Sequence, residues 1–89
     1  MVEEHLIEYY GTECTHCHEM APDVERVKKE LGVNIVKKEV WHDSTNQKEF
    51  LELAAGKCEG VPFFFNKKTK NFICGAANYE KIKEWAQDK

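Results

Sequence analysis

Leu6-Ile7-Glu8-Tyr9-Tyr10-Gly11-Thr12-Glu13-Cys14-Thr15-His16-Cys17-His18-Glu19-Met20-Ala21-Pro22 decides how this chain reads. Its first five residues are an apolar run rich in aromatic and branched side chains, which predicts a buried strand over residues 5–10. Gly11, Thr12 and Glu13 make a turn. From Thr15 the apolar positions are Cys17, Met20, Ala21, Val24, Val27 and Leu31, in the steps of three and four that mark one helix face. Gly32 is placed to end that helix. Pro22 lies inside it and is expected to kink it, because it has no N–H for its own ladder bond. Two thiols, Cys14 and Cys17, therefore stand where a strand hands over to a helix.

Further along, Val33 to Val40 alternates enough to be a second strand. Ser44-Thr45-Asn46-Gln47 has the form of a capping box and should open a helix bearing Phe50, Leu51 and Ala54 and ending at Gly56. Phe63–Phe65 and Asn71–Cys74 read as two short strands of a hairpin. Between them Lys67-Lys68-Thr69-Lys70 reads as a solvated turn. Asn78 can cap a last helix bearing Tyr79, Ile82, Trp85 and Ala86. The expected fold class is α/β, in the order β-α-β-α-β-β-α. A right-handed parallel βαβ unit feeds a four-stranded mixed sheet flanked by three helices on its two faces.

The chain has 89 residues, the size of a single domain over residues 1–89, burying roughly 60% of its unfolded surface. The net charge of −3 is too mild to suggest a nucleic-acid partner, and no basic stripe alters that. No apolar stretch approaches the ~20 residues of a membrane span. Met1-Val2-Glu3-Glu4-His5 has neither the basic start nor the cleavage site of a signal peptide. A cytoplasmic monomer is expected; an oxidising compartment would require a signal already removed. The four cysteines are not spaced like those of a disulfide-dense mini-protein. Cys58 and Cys74 are expected to be buried small apolar residues, with a second disulfide or a regulatory thiol as the alternatives. Trp41, Phe63 and Tyr79 are expected in the core, and His18 and His42 on the surface.

A dithiol at this spacing can close a small disulfide ring and reopen it. One thiolate attacks a substrate disulfide and the second cysteine resolves the mixed disulfide. The unpaired N–H groups and dipole of a helix N-terminus stabilise an anion, and such sites lower a thiol pKa from about 8.5 into the range of roughly 3.5–7.5. Cys14, ahead of the helix, is expected to be the exposed nucleophile. Cys17, one turn inside, is expected to be the more buried resolving thiol. His16, between them, can stabilise the Cys14 thiolate through its ring.

On these residues the chain resembles the thioredoxin superfamily, and Ile7 to Pro22 is most similar to the active-site segment of protein disulfide isomerase domains. Those domains have a Glu six residues before the first Cys, a His just before the second, and Ala-Pro in the following helix. Gly60-Val61-Pro62 matches the loop where the superfamily carries a cis-proline beside the dithiol. The resemblance implies a thioredoxin-like fold and a thiol–disulfide oxidoreductase that acts on protein disulfides without a cofactor. It implies a redox disulfide between Cys14 and Cys17, with Glu8 relaying a proton to Cys17 and with Lys37 or its neighbour Lys38, only one of which can face Glu8, as its charge partner. Thr15, Val61, Pro62 and Gly75 would bind substrate, and a reductase or dithiol donor would supply electrons.

The departures from the family pattern are Glu13 in place of its Trp and Thr15 in place of a common Gly. An acidic Glu13 would raise the Cys14 pKa and disfavour acidic partners. The short chain also resembles glutaredoxins. Their Thr-Val-Pro is Gly-Val-Pro here, and their glutathione-binding loop with its paired acids corresponds only loosely to Cys74-Gly75-Ala76-Ala77-Asn78. Glutathione dependence is therefore the alternative rather than the expectation. Other readings are a metal or iron–sulfur module using the same cysteines, a c-type haem attached at Cys14-Thr15-His16-Cys17-His18, and a non-catalytic partner-binding domain.

Overall fold

The structure is a computed structural model that describes residues 5–87. Of the stretch Met1–His5 considered as a leader, Met1 to Glu4 lie outside the described residues. Leu6–Tyr10 forms strand β1, whose Leu6, Ile7 and Tyr9 are all buried. A strand buried on both faces reads as a continuous apolar run rather than an alternating one, and β1 occupies such a place. Ile35–Glu39 (β2) pairs parallel to one side of it, with Leu6 opposite Ile35 and Glu8 opposite Lys37. Phe63–Asn66 (β3) pairs antiparallel on the other side, and Phe72–Cys74 (β4) completes the sheet in the order β2-β1-β3-β4.

Alternation along β1 sorts the core into two layers. Leu6 and Phe64 face helix α1 (Thr15–Leu31) and helix α3 (Tyr79–Ala86), meeting Met20, Val24, Val27, Ile82 and Trp85. Ile7, Tyr9, Phe63 and Phe65 face the opposite way and pack with Val40 and with Phe50 and Ala54 of helix α2 (Ser44–Ala54). Helices thus cover both faces, as the element order predicts. Glu8 shares the α1 face with Leu6, because successive side chains of a strand point to opposite faces. Lys38 lies on the α2 face, where its Nζ is 2.7 Å from a Glu49 oxygen that also accepts from Tyr9.

Gly32 ends α1 in the left-handed region at φ 62°, its N–H donating to the Lys28 carbonyl. Pro22 sits inside α1 without ending it. Asn78 caps α3 by accepting from Lys81 N–H. The cap of α2 departs from expectation. Asp43, not Ser44, is the N-cap, accepting from Asn46 N–H at 3.0 Å. Its carboxylate carries full negative charge to the positive helix end, where a hydroxyl offers only a dipole. Trp41 also departs from expectation, and Leu51 lies on the outer face of α2. Both are exposed, at 48% and 59%, because Trp41 follows β2 in a connecting loop and Leu51 is one step off the α2 face that Phe50 and Ala54 bury.

Asn66 is a buried polar residue that hydropathy alone does not flag. Its Oδ1 accepts from Lys68 and Thr69 N–H, shaping the β3–β4 turn, and its Nδ2 donates to the Trp85 carbonyl of α3. Asn66→Ala leaves these groups without their partner and is expected to cost about 1–3 kcal/mol. The check is a urea titration showing a lower midpoint with unchanged slope.

Candidate active site

The sheet brings four loops to one end. β1 runs into Gly11–Glu13 and the dithiol. β3 is antiparallel to it, with Tyr9 opposite Phe63, so Val61 and Pro62 enter at the same end. β4 is antiparallel to β3, with Phe63 opposite Cys74, so Cys74 and Gly75 leave there too. β2, parallel to β1, delivers Val40, Trp41 and His42 on the far side. Open α/β sheets bind ligands at this kind of end, beyond the carboxyl termini of their parallel strands.

Cys14 is the N-cap of α1 and is disulfide-bonded to Cys17, with their Cα atoms 5.2 Å apart. The Cys14 Sγ accepts from Cys17 N–H at 3.2 Å. Its own N–H donates to Gly11 O at 3.0 Å, closing the turn after β1. The first turn of α1 carries no acid to compete for the helix end. Exposure does not separate the two sulfurs as the sequence suggests: both cysteines are 5% exposed in the disulfide. The asymmetry lies in hydrogen bonding instead. The N-cap geometry turns the Cys14 sulfur onto the Cys17 N–H at the helix end.

Glu8 is 2% exposed, and its Oε1 has no hydrogen-bond partner among the described residues. Burial pushes its carboxyl up to about 7; Lys37, opposite it across the parallel ladder, opposes the rise, and Glu25 on α1 adds to it. Of the two adjacent lysines, Lys37 is the one that acts on Glu8, since Lys38 is engaged by Glu49. Cys17 faces the sheet with Met20 and Val24, so Glu8 and Cys17 share the layer between α1 and the sheet.

His16 is exposed, with Nδ1 3.6 Å from the Glu19 carboxylate. His18 and His42 are exposed as expected, yet both hold the dithiol loop. His18 Nε2 lies 2.5 Å from the Thr12 carbonyl, and His42 Nε2 lies 2.7 Å from Glu13 Oε1. The hydrogen bond to Glu13 raises the His42 pKa. The acidic residue beside Cys14 therefore has a partner of opposite charge once His42 is protonated. Glu39 joins them, accepting from Thr12 N–H and His42 N–H. Desolvation would raise the Glu39 carboxyl, but these hydrogen bonds outweigh it and hold it below its ordinary value. Glu13, Glu39 and His42 are the one set among the described residues spaced to hold a metal ion; their contacts to one another and to Thr12 already explain their closeness. The sequence carries no signal for this cluster beyond the acid at Glu13.

The Val61–Pro62 peptide is cis, and the Pro62 carbonyl accepts from Gly75 N–H at 2.8 Å. Val61 and Gly75 line one shallow groove, and Pro62 is buried behind it. Thr15 is exposed at the first position of α1. Cys58 and Cys74 correct the expectation of buried apolar thiols. They form a second disulfide, with Cα atoms 5.5 Å apart, in which Cys58 is half-buried and Cys74 exposed.

The family model described as Thioredoxin matches residues 2–88. Among curated proteins none matches the chain. Solved structures share its fold. A thioredoxin from Fasciola hepatica aligns with a TM-score of 0.70 at 21% identity, over 94% of this chain and 79% of that one. Thioredoxin f2 from Chlamydomonas reinhardtii gives 0.69 at 23% identity, over 94% and 77%. A mutant of the thioredoxin-like protein BC3987 gives 0.66 at 15% identity, over 98% and 100%.

Proposed function

The chain belongs to the thioredoxin family and is a thiol–disulfide oxidoreductase, and from that premise we propose that it exchanges electrons with protein disulfides through Cys14 and Cys17. The observation that carries this reading is the Cys14 sulfur seated as the N-cap of α1, bonded to Cys17, at the sheet end shared with Val61 and Pro62. In the reduced protein the Cys14 thiolate attacks one sulfur of the substrate disulfide. A Cys14–substrate bond forms, and the other substrate sulfur leaves with the electron pair and takes up a proton. Glu8 accepts the Cys17 proton, directly or through water. Cys17 then attacks the Cys14 sulfur, closes the internal disulfide and releases the second substrate thiol. The substrate gains two electrons and two protons, and the dithiol is oxidised.

His16, two residues from Cys14 in the first turn, adds ring N–H or imidazolium stabilisation to the thiolate. The backbone of Val61, with Gly75 lining the same groove, offers an extended substrate segment a short edge to pair with, and Thr15, exposed between the two cysteines, adds a contact to it. Glu8 and Lys37 set the proton balance. A dithiol donor returns the electrons.

The test is reduction of insulin disulfides by the purified chain. Turnover is expected with a dithiol donor and is expected to be poor with glutathione alone, since Ala76, Ala77 and Asn78 supply no acid to hold a glutathione amine. Efficient turnover of a glutathione mixed disulfide, retained in Cys17→Ser, would instead assign a monothiol glutaredoxin chemistry.

A further inference from the structure

Cys58 and Cys74 are joined at the same end of the sheet as the Cys14–Cys17 pair, yet the exchange reaction above makes no use of them. Cys58 lies in the loop between α2 and β3 that leads to Val61 and Pro62. Cys74 is the last residue of β4, paired in register with Phe63 and followed by Gly75, whose N–H holds the Pro62 carbonyl. The disulfide therefore ties the approach to the Val61–Pro62 loop onto the strand that holds that loop from the other side. It lines an open groove of about 600 Å³ with Lys57, Glu59, Gly60 and Val61. It is not a core staple: Cys74 is exposed and Cys58 only half-buried. The β3–β4 hairpin already has its ladder and the Asn66 turn to hold it.

We propose that Cys58–Cys74 is a second thiol–disulfide exchange site, taking a dithiol as its substrate and governing the hold of the Val61–Pro62 loop. A dithiol attacks as its thiolate at the exposed Cys74 sulfur. A bond from the donor to Cys74 forms while the Cys74–Cys58 bond breaks. Cys58 keeps the electron pair and takes a proton from solvent. The donor's second thiol loses its proton, attacks the mixed disulfide and releases Cys74, which is then protonated. The donor ends as its disulfide, and the chain has gained two electrons and two protons. The Cys58 sulfur lies 3.1 Å from the Gly60 carbonyl, an acceptor suited to a thiol S–H and unfavourable to a thiolate. Exposure makes Cys74 the sulfur that is attacked; Cys58 leaves with the electron pair, and once protonated its S–H can donate to the Gly60 carbonyl, which disfavours its return as a thiolate. Once open, the loop from Lys57 to Val61 keeps its backbone bonds from Lys57 and Cys58 to the Ala54 carbonyl but loses its covalent link to β4. The effect on the first site rests on reading Val61 and Pro62 as the substrate loop; the exchange at Cys58–Cys74 does not.

The test separates the two. In a Cys14→Ser, Cys17→Ser chain only the second disulfide remains. Dithiothreitol under native conditions is expected to expose both Cys58 and Cys74 to alkylation, read by mass. The rate should be proportional to dithiothreitol concentration, with near-ultraviolet circular dichroism retained. Labelling that requires denaturant, a rate independent of dithiothreitol, or loss of the fold on reduction would make the disulfide a structural staple and overturn the proposal. Failure here leaves the Cys14–Cys17 reading untouched, because those cysteines are absent. The second measurement uses Cys58→Ser, Cys74→Ser with the first pair intact. The KM for a protein disulfide is expected to rise several-fold, while the rate with a small aromatic disulfide, which needs no groove, stays unchanged. An unchanged KM would overturn the control of the loop. Should this variant fail to fold, Cys58→Ala, Cys74→Ala gives the same comparison.

Discussion

Cys14→Ser is expected to abolish disulfide exchange altogether, and Cys17→Ser is expected to convert the protein into a trap that accumulates a covalent mixed disulfide with its substrate. The two outcomes differ because the sulfurs sit differently. Cys14 is the N-cap of α1, and its sulfur faces the Cys17 N–H, so a charge there is stabilised by the helix end. A serine hydroxyl in that place stays protonated, and no nucleophile remains. Cys17 lies one turn inside and faces the sheet. Its removal leaves attack intact but takes away the resolving thiol. Non-reducing electrophoresis after incubation with oxidised insulin reads both results directly. Mixed disulfides formed through Cys17 in the Cys14→Ser protein would reverse the roles and defeat the helix-cap argument.

Glu8→Gln is expected to slow resolution by about 10²-fold, at the lower end of what a positioned acid–base group contributes, and at the same time to stabilise the fold at neutral and alkaline pH. Both effects come from one cause. Burial holds the Glu8 carboxyl protonated up to about 7, against the opposing pull of Lys37. In the wild-type protein the resolution rate should therefore rise with pH through about 7 and level off, as Glu8 becomes able to take the Cys17 proton. The Gln variant should lack that inflection. Stability runs the other way. Between about 4.5 and 7 the folded chain holds a proton at Glu8 that the unfolded chain has lost, so folding is weakened as pH rises across that window. At about 1.4 kcal/mol per pH unit the penalty reaches roughly 3 kcal/mol above pH 7 and is absent below about 4.5. Glu8→Gln should gain up to that amount at pH 8 and nothing attributable to charge at pH 4. Denaturant titrations of both proteins at the two pH values decide it. An equal stability difference at pH 4 and pH 8 would mean that Glu8 is not held protonated by burial.

Much of this architecture is legible without coordinates because it is written in short-range patterns. β1 shows as an apolar run, interrupted only at Glu8, since it is covered on both faces. α1 shows through apolar steps of three and four, with Cys14 ahead of it and Gly32 behind it. Asn78 announces α3, and the Phe63–Phe65 run with its Lys-rich turn announces the hairpin. The dithiol is legible for the same reason: its chemistry depends on two residues one helical turn apart. Where expectation failed nearby, two neighbours competed for one role. Asp43 and Ser44 are both good caps, and the stronger acceptor took the helix end.

What tertiary structure alone decided are the pairings between residues far apart in the chain. Cys58 and Cys74 read singly as small apolar residues, and only the β3–β4 ladder, which sets Cys74 beside the loop carrying Cys58, makes them a disulfide. Glu13 looked like an uncompensated acid until the parallel pairing of β2 with β1 carried His42 to it. Lys37 and Lys38 are indistinguishable in sequence; the strand's alternation sends one toward Glu8 and the other to Glu49. Local sequence specifies secondary structure because backbone propensity and side-chain periodicity act within a turn or two. Electrostatic partners, disulfide partners and burial depend on which loops the sheet brings to the same end, and that is settled when the strands take their order.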